Sequence, residues 1–216
     1  WYTDEAKFPN GLHGIIDICK RNGMKFGIWF EPEMISENSR LYREHPDWCI
    51  HSPGRAPVES RNQLVLDMAR SEVVDCIYNQ ISAMLSKYDI SYVKWDMNRN
   101  ITDNGSASLP AEAQGEHTHR YILGVYSLMK RLTENYPGVL FEGCAGGGGR
   151  FDFGILYYMP QIWTSDDTDA IERLKIQYGT SLVYPPASMT AHVSACPNHQ
   201  TGRITPFKTR GDIAQI

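Results

Sequence analysis

No stretch of this sequence reaches the ~18 consecutive apolar residues that a membrane-spanning helix requires, so no membrane partner is expected. It also lacks a basic run interleaved with aromatic residues. Its 21 Lys and Arg against 25 Asp and Glu leave a net charge of −4, which argues against nucleic acid, whose binding surfaces are normally basic. Cysteine is sparse: five residues, at positions 19, 49, 76, 144 and 196, with no CxxC pair. An odd number at irregular spacing excludes a disulfide framework and points to a reducing cytoplasm. Cys19 and Cys76 fall in helical patterns and read as small core residues. The run GCAGGGGR (143–150) fits neither GxGxxG nor GxxxxGK[ST], so no nucleotide site is expected. His117 and His119 have no HExxH or cysteine partner and read as exposed loop histidines, and His192 and His199 read as structural. Neither a metal nor an organic cofactor is expected. The first residue is Trp1, with no signal peptide after it, and the true start is expected upstream.

What is present is a regular alternation of elements in 216 residues, enough for one domain with a sizeable core. PNGLHGIIDICKRNG (9–23) places Leu12, Ile15, Ile16 and Cys19 at helical spacing and closes on Gly23. MKFGIWFEPE (24–33) reads as a strand stopped by Pro32. LYREHPDW is a short helix ended by Pro46, and HSPGRAPVESRN is a loop. QLVLDMA (63–69) is a second strand. A helix follows from Ser71 to Lys87, with Val74, Ile77, Ile81 and Leu85 on one face. Further strands are expected at 91–98, 139–145, 161–167 and, weakly, 189–194, with helices at 120–136 and 170–177 and a long polar connection at 102–119. Strands alternating with helices predict βαβ units and a parallel sheet, either an open doubly wound sheet or a (β/α)8 barrel.

Polar residues favour the barrel. Five strands end in acids: Glu31 and Glu33, Asp67, Asp96, Glu142, and Asp166 with Asp167. In a barrel the C-terminal strand ends ring one mouth, whereas an open sheet shares only its switch-point crevice. In ISYVKWDMNR (90–99), alternation puts Lys94, Asp96 and Asn98 on one face and Val93, Trp95 and Met97 on the other. A lysine near an aspartate favours the ionised carboxylate, and such a carboxylate in a partly dry pocket is a good covalent nucleophile. WTSDDTD supplies the second acid that glycoside chemistry needs. Alternation leaves open whether Asp166 or Asp167 faces the mouth, while Thr168 and Asp169 sit where a cap for the next helix belongs.

KWDMNR, WTSDDTD and GIWFEPEM together resemble glycoside hydrolase family 36, the retaining α-galactosidases. HPDWCIH, RNQLVLD, FEGCAGGGGRFD, YYMPQIWTSDDTDAIERLKIQYGTSLVYP and HVSACPNHQTGR follow in the same order, so the likeness runs along essentially the whole chain. The resemblance implies a (β/α)8 catalytic barrel, here incomplete and spanning strands two to seven. The family's N-terminal β-sandwich, first strand and C-terminal β-domain would lie outside it. It implies Asp96 as nucleophile and Asp166 as acid/base. It places Trp29, Arg61, Lys94, Asn98, Cys144 and Gly146 around a galactose. Trp29 offers a flat face to the sugar ring, Arg61 and Lys94 offer donors to hydroxyls, and the glycines after Cys144 allow close backbone approach. Cys144 has no histidine partner that would make it a nucleophile.

The expected activity is hydrolysis of terminal α-galactosyl residues from oligosaccharides by double displacement, in a full-length enzyme that is homo-oligomeric. A catalytically silent, sugar-binding fragment and a galactosyl transferase of the same family are the alternatives. An incomplete barrel exposes two strand edges, so a free-standing monomer of this length is expected to be poorly stable or to associate.

Overall fold

In the computed structural model, which describes residues 1–215, the chain divides into two units, Trp1–Leu140 and Phe141–Ile216. In the first unit the apolar spacing of 12–19 produces helix α1 (His13–Arg21), which buries Ile16 and ends where Gly23 takes a φ of 68°. Strand β1 (Gly27–Phe30) follows. It pairs in parallel with β4 (Tyr92–Asp96), setting Trp29 beside Lys94 and Phe30 beside Trp95. Alternation holds along β4: Val93, Trp95 and Met97 are buried, while Lys94 and Asp96 share the opposite face.

The expected strand 63–69 departs from the parallel series. Only Leu64–Val65 (β3) is extended. It pairs antiparallel with β2 (Met34–Ile35), so two parallel strands lie in this unit and three in the other. Backbone bonding explains the departure. Leu66 N–H donates to Glu33 O, Asp67 N–H to Trp48 O, and Ile50 N–H to Val65 O. The segment's polar backbone is therefore taken up by residues 33–35 and 48–50.

Helix α2 (Arg40–Glu44) is capped by Ser39, whose hydroxyl accepts from Tyr42 N–H. Helix α3 (Ser71–Lys87) buries Val74, Ile77, Ile81 and Leu85, and packs on α4 (His117–Asn135). Each such aliphatic side chain contributes about 1.5–3 kcal/mol on burial. The close packing of α4 needs Gly124, where a Cβ would stand 1.7 Å from Met68 O.

Helix α4 begins three residues earlier than its apolar pattern predicts, and His117 is a correction. It is fully buried rather than exposed on a loop. Its Nε2 lies 2.9 Å from Asp67 Oδ1 and its Nδ1 2.6 Å from Asn104 Oδ1. The Ser106 hydroxyl donates to the other Asp67 oxygen. The long polar connection is thus pinned to the end of β3, while His119 stays exposed. Cys19 and Cys76 are only half-buried, because each lies at the margin of its helix's apolar face.

The second unit holds β5 (Leu140–Cys144) apart from its first residue, β6 (Gln161–Trp163) and β7 (Met189–Thr190), with β6 parallel to both neighbours. Helix α5 (Phe153–Tyr158) was not legible as a helix. Asp152 caps it, its carboxylate accepting from Ile155 N–H. Helix α6 (Ala170–Ser181) begins as expected at an Asp169 cap, which accepts from the N–H groups of Ile171 and Glu172. Helix α7 (Phe207–Ile213) closes the described chain.

Candidate functional site

The register of β1 and β4 carries Trp29, Glu31, Lys94, Asp96 and Asn98 onto one side of the pair. Asp96 is 6% exposed. Its Oδ2 accepts from Asn98 Nδ2 at 2.7 Å and from Trp29 Nε1 at 3.2 Å. Its Oδ1 is buried with no hydrogen-bond partner. A carboxylate with one oxygen held by two donors and the other left bare is oriented for an electron-poor partner. Trp29 keeps 49% of its surface exposed while its indole N–H stays on Asp96, so an apolar face stands open beside the carboxylate. Lys94 is half-buried, two residues before Asp96 on the same face.

Arg61 lies in a turn where it and Asn62 both have positive φ, 56° and 57°. That turn is closed by reciprocal backbone bonds between Ser60 and Gln63 and clamped by Arg99, which donates to Gln63 O and to Val58 O. Arg61 Nη1 stands 3.9 Å from Glu31 Oε1. An open cavity of about 860 Å³ in this unit is lined in part by Glu31, Gln63, Arg40 and His45; Asp96 and Trp29 do not line it.

Two of the acids expected at the mouth serve packing instead. Glu33 is fully buried and accepts from Trp95 Nε1 at 2.8 Å and from the Tyr121 hydroxyl at 2.7 Å. Asp67 is held in the His117 network. A buried carboxylate is stable only when so satisfied, and both are. Cys49 is buried as well, and burial, followed by the charges of Glu37, Asp47 and Asp67, pushes its thiol up to about 12, which makes it inert.

In the second unit Asp166 follows β6, and its Oδ1 accepts from Trp163 Nε1 at 3.0 Å. The Trp163 ring is stacked with His192 at 4.8 Å, and the Arg173 guanidinium lies 4.5 Å from its centroid. Burial lowers Arg173 from its ordinary value, opposed by the charges of Asp167 and Asp166. His192 and Arg173 as supports of Trp163 were not legible: Arg173 looks like an ordinary helical residue, and the contacts span ten residues or more. Asp167 turns the other way, accepting from Asp169 N–H at 2.9 Å.

Cys144 is buried at the end of β5. Gly146 follows at a φ of 56° with open space where its Cβ would be. The next glycines let this loop lie against the residues after β6. A Cβ on Gly147 would stand 2.8 Å from Ser165 Cα and 2.9 Å from Asp166 N, and one on Gly148 2.6 Å from Thr164 O. The glycine run therefore supports the backbone that carries Asp166.

Parallel β/α repeats with acids beyond the strand ends define the class: an α/β protein of incomplete (β/α)8 type. The melibiase family model matches residues 1–216, and the chain belongs to that family. It is 58% identical over 214 residues to alpha-galactosidase AgaA of Geobacillus stearothermophilus, covering 99% of this chain and 29% of that protein. It is 59% identical to alpha-galactosidase Mel36A of Lactobacillus acidophilus over the same shares. The crystal structure of the GH36 alpha-galactosidase AgaA superposes with a TM-score of 0.96, covering 99% of this chain and 30% of AgaA. AgaA variants have been solved in complex with raffinose and with stachyose. The chain thus spans about three-tenths of the length of the relatives it matches. Among the described residues, no helix is long and apolar enough to cross a membrane.

Proposed function

We propose that this chain is part of a retaining α-galactosidase that releases terminal α-D-galactosyl residues from oligosaccharides, with Asp96 as nucleophile and Asp166 as acid/base. The observation that carries the reading is the Asp96 carboxylate: Oδ2 tied to Asn98 and Trp29, Oδ1 buried and bare. Oδ1 attacks the anomeric carbon as the glycosidic C–O bond breaks. The leaving oxygen takes a proton from Asp166, whose Oδ1 is occupied by the Trp163 N–H, so that Oδ2 carries the acid proton. In the second half, Asp166 removes a proton from water, water oxygen bonds to the anomeric carbon, and Asp96 leaves as carboxylate. Two inversions give net retention. Asn98 and Trp29 stabilise the departing carboxylate, each hydrogen bond to a charged group contributing about 1.5–3 kcal/mol. Lys94, Arg61, Cys144 and Gly146 are the proposed surroundings of the galactose.

Relatives named alpha-galactosidases, and raffinose and stachyose bound in AgaA variants, support this substrate class. The proposed setting is the cytoplasm and the proposed state of the full-length enzyme a homo-oligomer, which sedimentation of that enzyme checks. In the full-length protein, Asp96→Ala lowers turnover of a chromogenic α-galactoside at least about a thousandfold. Retention of ordinary rates removes Asp96 from this role.

A further inference from the structure

We infer that Glu31 is a positioning residue for the nucleophile, acting through Asn98. The inference rests on the role proposed for Asp96. Glu31 is 8% exposed and lies one residue past β1, level with Asp96 in the register of β1 and β4. The Asn98 side-chain amide has two N–H bonds to give. Its Nδ2 reaches Glu31 Oε1 at 2.8 Å and Asp96 Oδ2 at 2.7 Å. One NH2 group therefore bridges two carboxylates. That bridge fixes which way the amide faces and commits its second N–H to Asp96 Oδ2. With Oδ2 committed, Oδ1 is the oxygen that stays bare.

Glu31 is itself held. Its Oε2 accepts from Gln63 Nε2 at 3.1 Å, and Gln63 closes the turn that carries Arg61. Trp29 cannot replace the function, since its N–H reaches the same Asp96 oxygen at a longer 3.2 Å and leaves the Asn98 amide free to rotate. Replacing Glu31 by glutamine keeps the shape but puts an NH2 group where one of two donors, Asn98 or Gln63, must be accepted. One of them loses its partner, and even where the amide oxygen stays on Asn98 that bond is no longer charge-assisted, so the hold on the Asn98 amide loosens.

The test is a double-mutant cycle in the full-length protein, reading kcat/KM for a chromogenic α-galactoside in Glu31→Gln, Asn98→Ala and the pair. Each single change is expected to lower kcat/KM about 10- to 100-fold, the equivalent of one charged hydrogen bond. The pair is expected to be no worse than Asn98→Ala alone within about threefold, because both changes remove the same constraint. A double variant whose loss is the product of the two single losses overturns the inference, since a merely structural role would multiply in that way. Where Glu31→Gln does not fold, Glu31→Asp carries the same cycle, keeping the charge while withdrawing its oxygens by one methylene. An Asp96→Ala control that stays active signals failure of the proposed mechanism instead.

Discussion

At the scale of single residues, the proposed chemistry turns on which atoms are left without partners. Asp96 and Glu33 are both strand-end acids with buried carboxylates. Glu33 has both oxygens bonded, to Trp95 and Tyr121, whereas Asp96 keeps Oδ1 bare. In sequence the two look alike, because the donors to Glu33 come from positions 62 and 88 residues away. The face alternation of KWDMN was legible from the sequence alone; which carboxylate is spent on packing was not. Gly147 is a second case. Its φ of 86° and the backbone of Ser165 and Asp166 within 3 Å of a Cβ leave no room for a side chain. Gly147→Ala is expected to destabilise the full-length protein by about 1–3 kcal/mol, read as a lowered denaturation midpoint, and to slow turnover by displacing Asp166.

At the scale of elements, two buried polar ties hold segments that carry little apolar surface. His117, Asn104 and Ser106 anchor the 102–119 connection to Asp67. Polar composition made that stretch read as an exposed loop, and the network forms only when residues 50 apart meet. His117→Ala removes one of the donors that hold the buried Asp67 carboxylate, leaving Ser106 and the Ala69 N–H, and is expected to cost about 1–3 kcal/mol, measured by denaturant unfolding. The Asp169 cap was legible, since an aspartate directly before AIERLKIQY is a start signal. Its second function was not. Asp169 Oδ2 also accepts from the Thr201 hydroxyl at 2.5 Å, and its Oδ1 pairs with Arg203, which ties residues 198–203 to α6.

Burial raises the Asp169 carboxyl, but Thr201, the N–H groups of Glu172 and Ile171, and Arg203 outweigh it and hold the carboxyl below its ordinary 3.8. A depressed native value means the unfolded chain takes up that proton first as pH falls. The stabilisation is complete above 3.8 and is lost as pH drops through the lower native value. Asp169→Asn should therefore flatten the acid limb of a stability-against-pH curve, while leaving its neutral-to-alkaline shape unchanged apart from a constant offset.

At the scale of the whole molecule, alternating strands and helices were enough to read a parallel α/β fold from the sequence, and a chain of ordered motifs gave the family. The strand at 63–69 was misplaced because a buried apolar run reads the same whether its partners are parallel or antiparallel. Helix α5 was missed because six residues, FGILYY, carry too little periodicity to distinguish helix from strand. The proposed retaining mechanism predicts that the first sugar released by the full-length protein is α-galactose, which proton NMR followed through the early turnover distinguishes from the β anomer.

The central claim, that Asp96 forms the bond to the sugar, is tested most directly by trapping that bond. A 5-fluoro-α-galactosyl fluoride has a leaving group good enough to load the full-length enzyme, and its ring fluorine slows release. Peptide mass spectrometry of the inactivated protein should find one 5-fluorogalactosyl adduct, on the peptide containing KWDMNR, at Asp96. An adduct on another carboxylate, or inactivation with none, contradicts it.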